Sequence, residues 1–363
     1  MLKKLFLILL LPLFFCGCSK DLREEITFAS WGSATEVKVL KQIINDFEAE
    51  NPKIRVNFMH VPQNYFQKMH LLFASNTPPD VLFINNLYLP AYSKYLEDLS
   101  NKVNSSDFYP QTIQGMSVNG KIYAVPRDVS SLVFYINLDK TNLPDQNWTL
   151  NDLLNICKNI VDKKAFCLSY EDTVYWLKPY LSYFGGGIID GSSNLIIDSE
   201  KSKKGISFYK DLKNKYHYAP MKSEVGSSTS VQMFLQGKIV LYLSGRWMYP
   251  KISEKADFNW AVMNFPYGES PQEVDMSGWA ISKNTKHKDA SVKFVQYLSG
   301  VKSSEYFTQT GLVTPARIDT AKLLNNKTHN EKVFIDIVDK SETSTVCKDY
   351  WKLTDKLNNK LDL

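Results

Sequence analysis

The sequence lacks the features of a membrane-spanning or nucleic-acid-binding protein. After Cys18 it contains no run of eighteen apolar residues, so no transmembrane helix is predicted. It has no block of five or more Lys or Arg residues, and its formal charge of +5 falls to +3 without Lys3 and Lys4. Nucleic acid is therefore not an expected partner. A composition of 44% apolar and 22% charged residues predicts a water-soluble globular protein.

Catalytic signatures are also missing. The five histidines are scattered, none belongs to an H-E-x-x-H pair, and neither a G-x-S-x-G elbow nor a Walker loop is present. Residues 185–190 (GGGIID) have the first two glycines of a G-x-G-x-x-G dinucleotide fingerprint, but Asp190 stands in place of the third. This segment therefore predicts a turn. No cofactor, metal site or enzymatic activity is expected. A secreted glycosidase is the open alternative, because Asp80, Asp128 and Glu171 could supply its paired carboxylates.

Cysteine is scarce, with five residues in the whole chain. After Cys18 the chain has three cysteines, Cys157, Cys167 and Cys347. This odd number is unusual for an oxidising compartment, where cysteines pair in disulfides. Cys157 and Cys167 are close enough in sequence to form a disulfide if a turn brings them together. Buried free thiols are the other interpretation, and the sequence leaves both open.

What is present begins with an export segment. Lys3 and Lys4 precede twelve apolar residues, which as a helix would reach only about 18 Å of a roughly 30 Å hydrocarbon core. Residues 1–17 are therefore predicted to be a removed signal peptide. Residues 15–18 (FCGC) resemble a bacterial lipobox, which predicts lipidation of Cys18 and attachment to a membrane, in the periplasm or at the outer cell face. Ordinary cleavage nearby is the alternative.

Strand and helix patterns alternate after this segment. Residues 26–29, 54–58 and 81–84 predict strands, and a capping box at Ser33 begins a helix between the first two. This order predicts a doubly wound α/β lobe, in which ligands bind beyond the carboxyl ends of the strands.

The same pattern returns later in the chain. Residues 132–136 and 239–243 predict apolar strands, Thr149 begins a helix with a second capping box, and residues 200–216 predict another helix. About 345 residues after the signal exceed what one hydrophobic core usually organises. Two α/β lobes are therefore expected.

Six short motifs follow one another along the chain. They are FEAENP at 47–52, PPDV at 78–81, NGKIYAVP at 119–126, FLQGK at 234–238 with SGRW at 244–247, SGWAIS at 277–282 and GLVTPAR at 311–317. In this order they resemble the extracellular solute-binding proteins of ABC importers, in the group that includes maltose-binding and glycerol-phosphate-binding proteins. The resemblance extends over nearly all of the chain after the signal.

The resemblance implies two lobes that are joined by a hinge and close on a ligand between them. It implies crossings near Arg127, Asn259 and Val313, and, as partners, a small solute and the permease subunits of the importer, with a monomeric binding protein. Only about 45 residues follow the last motif, which puts ligand contacts from terminal helices in question. The implied segments are 18–126 and 260–312 for the first lobe, and 127–259 and 313–363 for the second.

A sugar is the solute most in keeping with the residues available. Its flat C–H faces need aromatic planes, and its hydroxyls need planar polar groups. The residues predicted to line the site, each at a strand end, a glycine or a crossing, are Trp31, Ser33, Asn85, Asn86, Asp128, Trp176, Arg246, Trp247, Ser277, Gly278, Trp279 and Arg317.

Two groups in this set allow a second interpretation. Asn85 and Asn86 are typical of a turn as well as of a hydroxyl-binding site. Arg246 and Arg317 are placed by the resemblance on opposite sides of the cleft, where they could form salt bridges between lobes or bind a carboxylate or phosphate. A phosphorylated or otherwise anionic solute, such as glycerol phosphate, is therefore the alternative ligand.

Overall fold

The computed structural model describes residues 23–160, 164–324 and 328–363. The predicted signal peptide and Cys18 lie outside the described residues. Within these ranges no helix is both long enough and apolar enough to cross a bilayer.

The strands of the described chain fall into two main sheets and one short hairpin. In chain order they are β1 (Glu24–Ser30), β2 (Ile54–His60), β3 (Val81–Asn85), β4 (Ser117–Val118), β5 (Lys121–Ile122), β6 (Ala124–Ser130), β7 (Val133–Asn137), β8 (Phe166–Leu168), β9 (Ile239–Ser244), β10 (Trp260–Asn264), β11 (Gln272–Ile281), β12 (Thr314–Pro315) and β13 (Ser341–Thr343).

Helices cover both sheets. In chain order the described α-helices are α1 (Ala34–Glu50), α2 (Tyr65–Ala74), α3 (Leu89–Tyr92), α4 (Pro110–Gly115), α5 (Leu150–Asn159), α6 (Val174–Tyr183), α7 (Glu200–Asn214), α8 (Lys222–Val225), α9 (Ser230–Leu235), α10 (Tyr249–Lys255), α11 (Lys288–Leu298), α12 (Val301–Gln309), α13 (Ile318–Ala321), α14 (His329–Val338) and α15 (Tyr350–Leu361).

The first lobe is built around a seven-stranded sheet. Its strand order is β12-β6-β11-β3-β1-β2, with β13 paired to β11. Strands β1, β2 and β3 are parallel, whereas β11 runs antiparallel to both β3 and β6. Helix α1 begins at the predicted capping box, in which Ser33 and Glu36 bond each other's backbone. The predicted α/β lobe is confirmed.

The second lobe is built around a four-stranded sheet with the order β10-β7-β9-β8. Alternate residues of β7 enter different cores, with Phe134 and Ile136 on one face and Val133 and Tyr135 on the other. Burial on both faces explains why this strand has no polar residue until its end. The two lobes together confirm the predicted fold class.

The crossings between lobes lie further along the chain than expected. Arg127 still belongs to β6 of the first sheet, and the connection to β7 is formed by residues 131–132. Strand β10 pairs with β7 in the second sheet, so the return follows Asn264 and not Asn259. Because β10 is an apolar strand like those of either lobe, its composition did not reveal which sheet it joins.

The C-terminal segment does not belong to one lobe as expected. Strands β12 and β13 pair with β6 and β11 of the first sheet. Helix α14 packs on β10, and α15 packs on α6, both in the second lobe. The chain from Val313 onward therefore alternates between the lobes, and assigning all of 313–363 to the second lobe was wrong.

A disulfide joins α5 to β8 in the second lobe. The sulfur atoms of Cys157 and Cys167 are bonded, with their Cα atoms 5.1 Å apart, and Cys347 is a free thiol. The pairing that the sequence left open is therefore present.

Replacing both Cys157 and Cys167 with serine is expected to lower the free energy of unfolding by about 2–3 kcal/mol, because the bond closes a short loop and restricts the unfolded chain. Urea denaturation of the purified protein measures the loss. Cys347→Ser is the control and should leave the midpoint unchanged. A double variant as stable as the parent would contradict the prediction.

Candidate functional site

One edge of the first sheet faces one edge of the second sheet where the chain crosses between the lobes. Strand β6 is parallel to β1 and β3, because β11 opposes both β6 and β3. The carboxyl ends of these three strands therefore share one edge, from which residues 131–132 lead into β7. In the second sheet Val133 pairs with Ser244 at the end of β9. We call the space between these edges the cleft.

Two predicted residues of the first lobe lie where β1 meets α1. Trp31 follows β1 directly and is 46% exposed, with its ring centroid 5.7 Å from that of Phe83. Ser33 is exposed, and its hydroxyl accepts a hydrogen bond from the backbone N–H of Glu36 at 3.3 Å. Trp31 presents an aromatic surface at the cleft edge, whereas Ser33 is engaged as a helix cap.

Asn85 and Asn86 have different surroundings. Asn85 is half-buried, and its side-chain oxygen accepts a hydrogen bond from the backbone N–H of Tyr88 at 3.2 Å. Asn86 is fully buried, donates to Asp275 at 3.2 Å and accepts from the backbone of Met276 at 3.0 Å. Asn86 therefore holds strand β11 and is not available to a solute, which corrects its prediction as a ligand contact.

Asp128 and Ser277 are bonded to each other inside the first lobe. The Asp128 carboxylate is 3% exposed, accepts a hydrogen bond from the Ser277 hydroxyl and pairs with the Arg127 guanidinium. Glu36 lies 3.5 Å from the same guanidinium. Asp128 and Ser277 are therefore engaged with each other and with Arg127 at the end of β6, and they do not present free hydroxyl-binding groups, contrary to expectation.

Trp279 and its neighbour Gly278 belong to the core. Trp279 is fully buried, and its ring contacts those of Phe28 and Phe83 edge-on at 5.4 and 6.0 Å. A Cβ atom on Gly278 would lie 2.3 Å from the carbonyl oxygen of Val125, so glycine allows the strands to pair closely here. Both were predicted as site residues, and burial within the sheet makes that prediction wrong.

Trp247 and Trp176 supply aromatic surface from the second lobe. Trp247 follows β9 and is half-buried, with its ring folded over Gly245 so closely that a Cβ there would lie 1.9 Å from it. Trp176 is half-buried in α6, edge-on to Tyr175 at 5.5 Å. Together with Trp31 they place aromatic side chains on both lobes.

Neither predicted arginine joins the lobes. Arg246 is 2% exposed and pairs with Glu331 at 3.2 Å, both in the second lobe. Burial lowers the pKa of its guanidinium, and the Glu331 carboxylate acts in the opposite direction. Arg317 pairs with Asp319 at 2.7 Å and Asp107 at 3.4 Å. Both guanidinium groups are engaged within a lobe, so neither forms the inter-lobe salt bridge that was one of the two interpretations.

A different cation joins the lobes beside the cleft. Lys178 of α6 is 6% exposed, and its ammonium nitrogen lies 3.1 Å from Asp275 and 3.4 Å from Glu273, both on β11. It also donates to the hydroxyl of Ser344. Burial alone would lower the pKa of Lys178, but Asp275, Tyr350 and Glu273 outweigh it and raise that pKa above its ordinary value.

Two aromatic residues beside the cleft were not predicted from the sequence. Tyr88 follows β3 by three residues, and Trp351 is the second residue of α15, with their ring centroids 6.2 Å apart and their planes at 14°. Helix α15 is attached to the second lobe, where Asn358 accepts a hydrogen bond from the backbone of Val174 at 2.7 Å. The terminal helix therefore contributes to this region. In the sequence, the position of Tyr88 three residues after Asn85 was the only indication of these aromatic residues.

The carboxylates of the glycosidase alternative do not form a pair. Asp128 and Asn85 both stand opposite Ser277 across β11, whereas Asp80 precedes β3 at its other end. Asp80 and Asn85 are five residues apart, so these two ends of β3 are separated by about 16 Å. The carboxyl groups of a glycosidase are only about 5–9.5 Å apart. Glu171 accepts a hydrogen bond from Ser230 at 2.7 Å in the second lobe. In the described ranges no cluster of His, Cys, Asp or Glu could hold a metal ion.

Comparison with known proteins connects this geometry to a family. The model of the family described as bacterial extracellular solute-binding protein matches residues 42–331. The galactooligosaccharide-binding protein of Bacillus subtilis is 23% identical over 295 residues, covering 76% of this chain and 69% of the relative. The maltodextrin-binding protein of the same organism is 22% identical, covering 79% and 72%.

Solved structures show the same fold. An ABC substrate-binding protein of Listeria monocytogenes in complex with cycloalternan superposes with a TM-score of 0.85 at 21% identity, covering 94% of this chain and 93% of that one. UgpB of Mycobacterium tuberculosis in complex with glycerophosphocholine gives a TM-score of 0.78 at 19% identity, covering 93% and 92%. Identities this low establish the architecture only.

Proposed function

Because the chain belongs to the family of bacterial extracellular solute-binding proteins, we propose that it captures a sugar or similar polyol and delivers it to the membrane permease of an ATP-driven importer. The observation that supports a sugar is the accessible aromatic surface on both edges of the cleft, from Trp31 on one lobe and Trp247 on the other. Sugar C–H faces stack on such rings. The relatives named for galactooligosaccharide and maltodextrin binding support the same class.

The alternative of a small phosphorylated solute has less support in the cleft. A phosphate would need a cation that is free to bind it. Arg127, Arg246 and Arg317 are each paired with carboxylates of their own lobe. Each of these guanidinium groups is thus already engaged by a carboxylate, which favours a ligand recognised through ring faces and hydroxyls in this part of the cleft.

A thermal-shift screen of the purified protein against sugars, polyols and glycerol phosphates tests the function. A ligand at about 100 times its dissociation constant should stabilise the fold by about 2.7 kcal/mol, which raises the melting temperature measurably. Sugars should stabilise the protein, and glycerol phosphate should not. Stabilisation by glycerol phosphate alone would contradict the proposal. Release of reducing ends from oligosaccharides would contradict its being a binding protein without hydrolytic activity.

Replacing Trp247 with alanine is expected to weaken sugar binding about thirtyfold. A ring stacked on a sugar face removes about 80 Å² of apolar surface from water, which at about 25 cal/mol per Å² gives about 2 kcal/mol. Calorimetric titration measures the affinity. Trp247→Phe keeps a flat ring and should retain most of it. Unchanged affinity of the alanine variant together with a large loss of stability would show that Trp247 is only a packing residue.

Membrane attachment through Cys18 is also proposed, since this residue is the one that the lipobox would lipidate. Cys18→Ser should move the protein from the membrane pellet to the soluble extract when cells are fractionated. Cys347→Ser is the matched control and should remain in the pellet. Retention of the Cys18 variant in the membrane fraction would contradict lipidation at this position.

A further inference from the structure

A large cavity adjoins the cleft on the side of Tyr88. It has a volume of about 650 Å³, within the range of small-molecule sites. The first lobe forms one wall with side chains of α2 and α3, and the second lobe forms the other with residues 348–352. Tyr88 belongs to the same turn as the cleft residue Asn85, which accepts a hydrogen bond from its backbone N–H at 3.2 Å. We call this space the outer cavity.

Aromatic rings form much of the outer cavity. Phe66 and Tyr88 are stacked with centroids 3.7 Å apart and planes at 7°, and Trp351 lies nearly parallel to Tyr88 from the second lobe. Tyr95 is 40% exposed at the same cavity. Because Phe66 and Tyr88 cover each other, the exposed part of Tyr95 and the ring of Trp351 provide the apolar surface for a further sugar unit beyond the cleft.

The charge of the outer cavity differs from that of the cleft. Lys94, Lys348, Lys352 and His70 line it, against a single carboxylate, Asp349. Asp349 pairs with Lys352 at 3.1 Å. Among the described residues the ammonium groups of Lys94 and Lys348 have no carboxylate partner, whereas the arginines of the two lobes are all paired. The lining of the outer cavity therefore carries more positive than negative charge.

We propose that the outer cavity binds a negatively charged outer unit, such as a uronate, of an oligosaccharide whose inner units occupy the cleft. This inference rests on the proposed function and narrows its ligand to acidic oligosaccharides. The aromatic rings provide the stacking surface for the sugar ring, and Lys94 and Lys348 provide the charges that attract its carboxylate. Because the walls belong to different lobes, the outer unit also contacts both lobes when the cleft is closed.

The test compares each acidic oligosaccharide with its own methyl ester, which has the same size and linkages but no charge. Trimers of galacturonate, mannuronate and guluronate and their esters are titrated into the full mature protein by calorimetry. At about 20 mM salt the best acidic trimer should bind about tenfold more tightly than its ester, and at about 0.5 M salt the difference should shrink, because the lysines are exposed to solvent.

The variant Lys94→Gln/Lys348→Gln should abolish the preference for the acid and leave binding of the ester unchanged. Lys68→Gln is the matched control, since Lys68 is exposed on the same helix as Phe66 but does not line the cavity. Equal binding of acid and ester, or a preference that survives the double change, would overturn this inference while neutral sugars still bind. Absence of binding by every sugar would instead overturn the proposed function, and this inference with it.

Discussion

Lys178→Met is expected to lower the free energy of unfolding by about 3–5 kcal/mol, because it leaves the buried carboxylate of Asp275 and the half-buried carboxylate of Glu273 without their counter-ion. Methionine has a similar length and fills the same space, so the loss reports on the charge. Guanidinium denaturation measures it. Adding Asp275→Asn to this variant should recover part of the loss, since it removes one of the uncompensated charges.

A surface ion pair provides the control for this result. Lys201 and Glu269 lie 2.8 Å apart, with their side chains 59% and 58% exposed. Lys201→Met should change the free energy of unfolding by less than about 1 kcal/mol, because water already screens and solvates both groups. Equal losses in the two lysine variants would contradict the view that burial makes the Lys178 cluster important.

Trp279→Ala is expected to destabilise the protein by about 3–5 kcal/mol, since it opens a cavity where a fully buried indole packs against Phe28 and Phe83. Thermal unfolding without ligand measures the loss. Trp279→Phe should be less damaging because it retains much of the ring volume.

Trp279→Ala should also leave sugar affinity nearly unchanged when binding is measured well below the melting temperature. This is the opposite of the result expected for Trp247→Ala, so the two variants form a pair. A Trp279→Ala protein with normal stability and weakened binding would contradict the placement of Trp279 in the core.

Local signals in the sequence predicted the secondary structure well. The capping boxes at Ser33 and Thr149 begin α1 and α5 as expected, because a cap needs only residues within one turn. The apolar segments 81–84 and 239–243 are buried strands, as their composition indicated. These features depend on neighbours in the chain, which a sequence displays directly.

Features that depend on distant partners were not predictable in the same way. Trp247 and Trp279 both lie within two residues of a glycine, yet one is half-buried at the cleft and the other is fully buried by α12 and by neighbouring strands. Asn86 is a residue typical of turns, but its side chain is hydrogen-bonded to β11, almost 190 positions later in the chain. The role of Trp351 depends on where α15 packs. In each case the deciding contact is made by a segment far away in sequence.

The connections between the lobes also determine how they can move. Strands β6 and β11 are neighbours in one sheet, and β7 and β10 are neighbours in the other, so the connections 131–132 and 265–271 lead from one pair of adjacent strands to the other. The chain from Val313 onward crosses between the lobes again, through β12, α14, β13 and α15. Residues 131–132 can span only about 7 Å, so the lobes turn about this connection and cannot move far apart there. A ligand unit at either end of the cleft therefore acts on the same closing rotation, and contacts made at one end assist closure at the other.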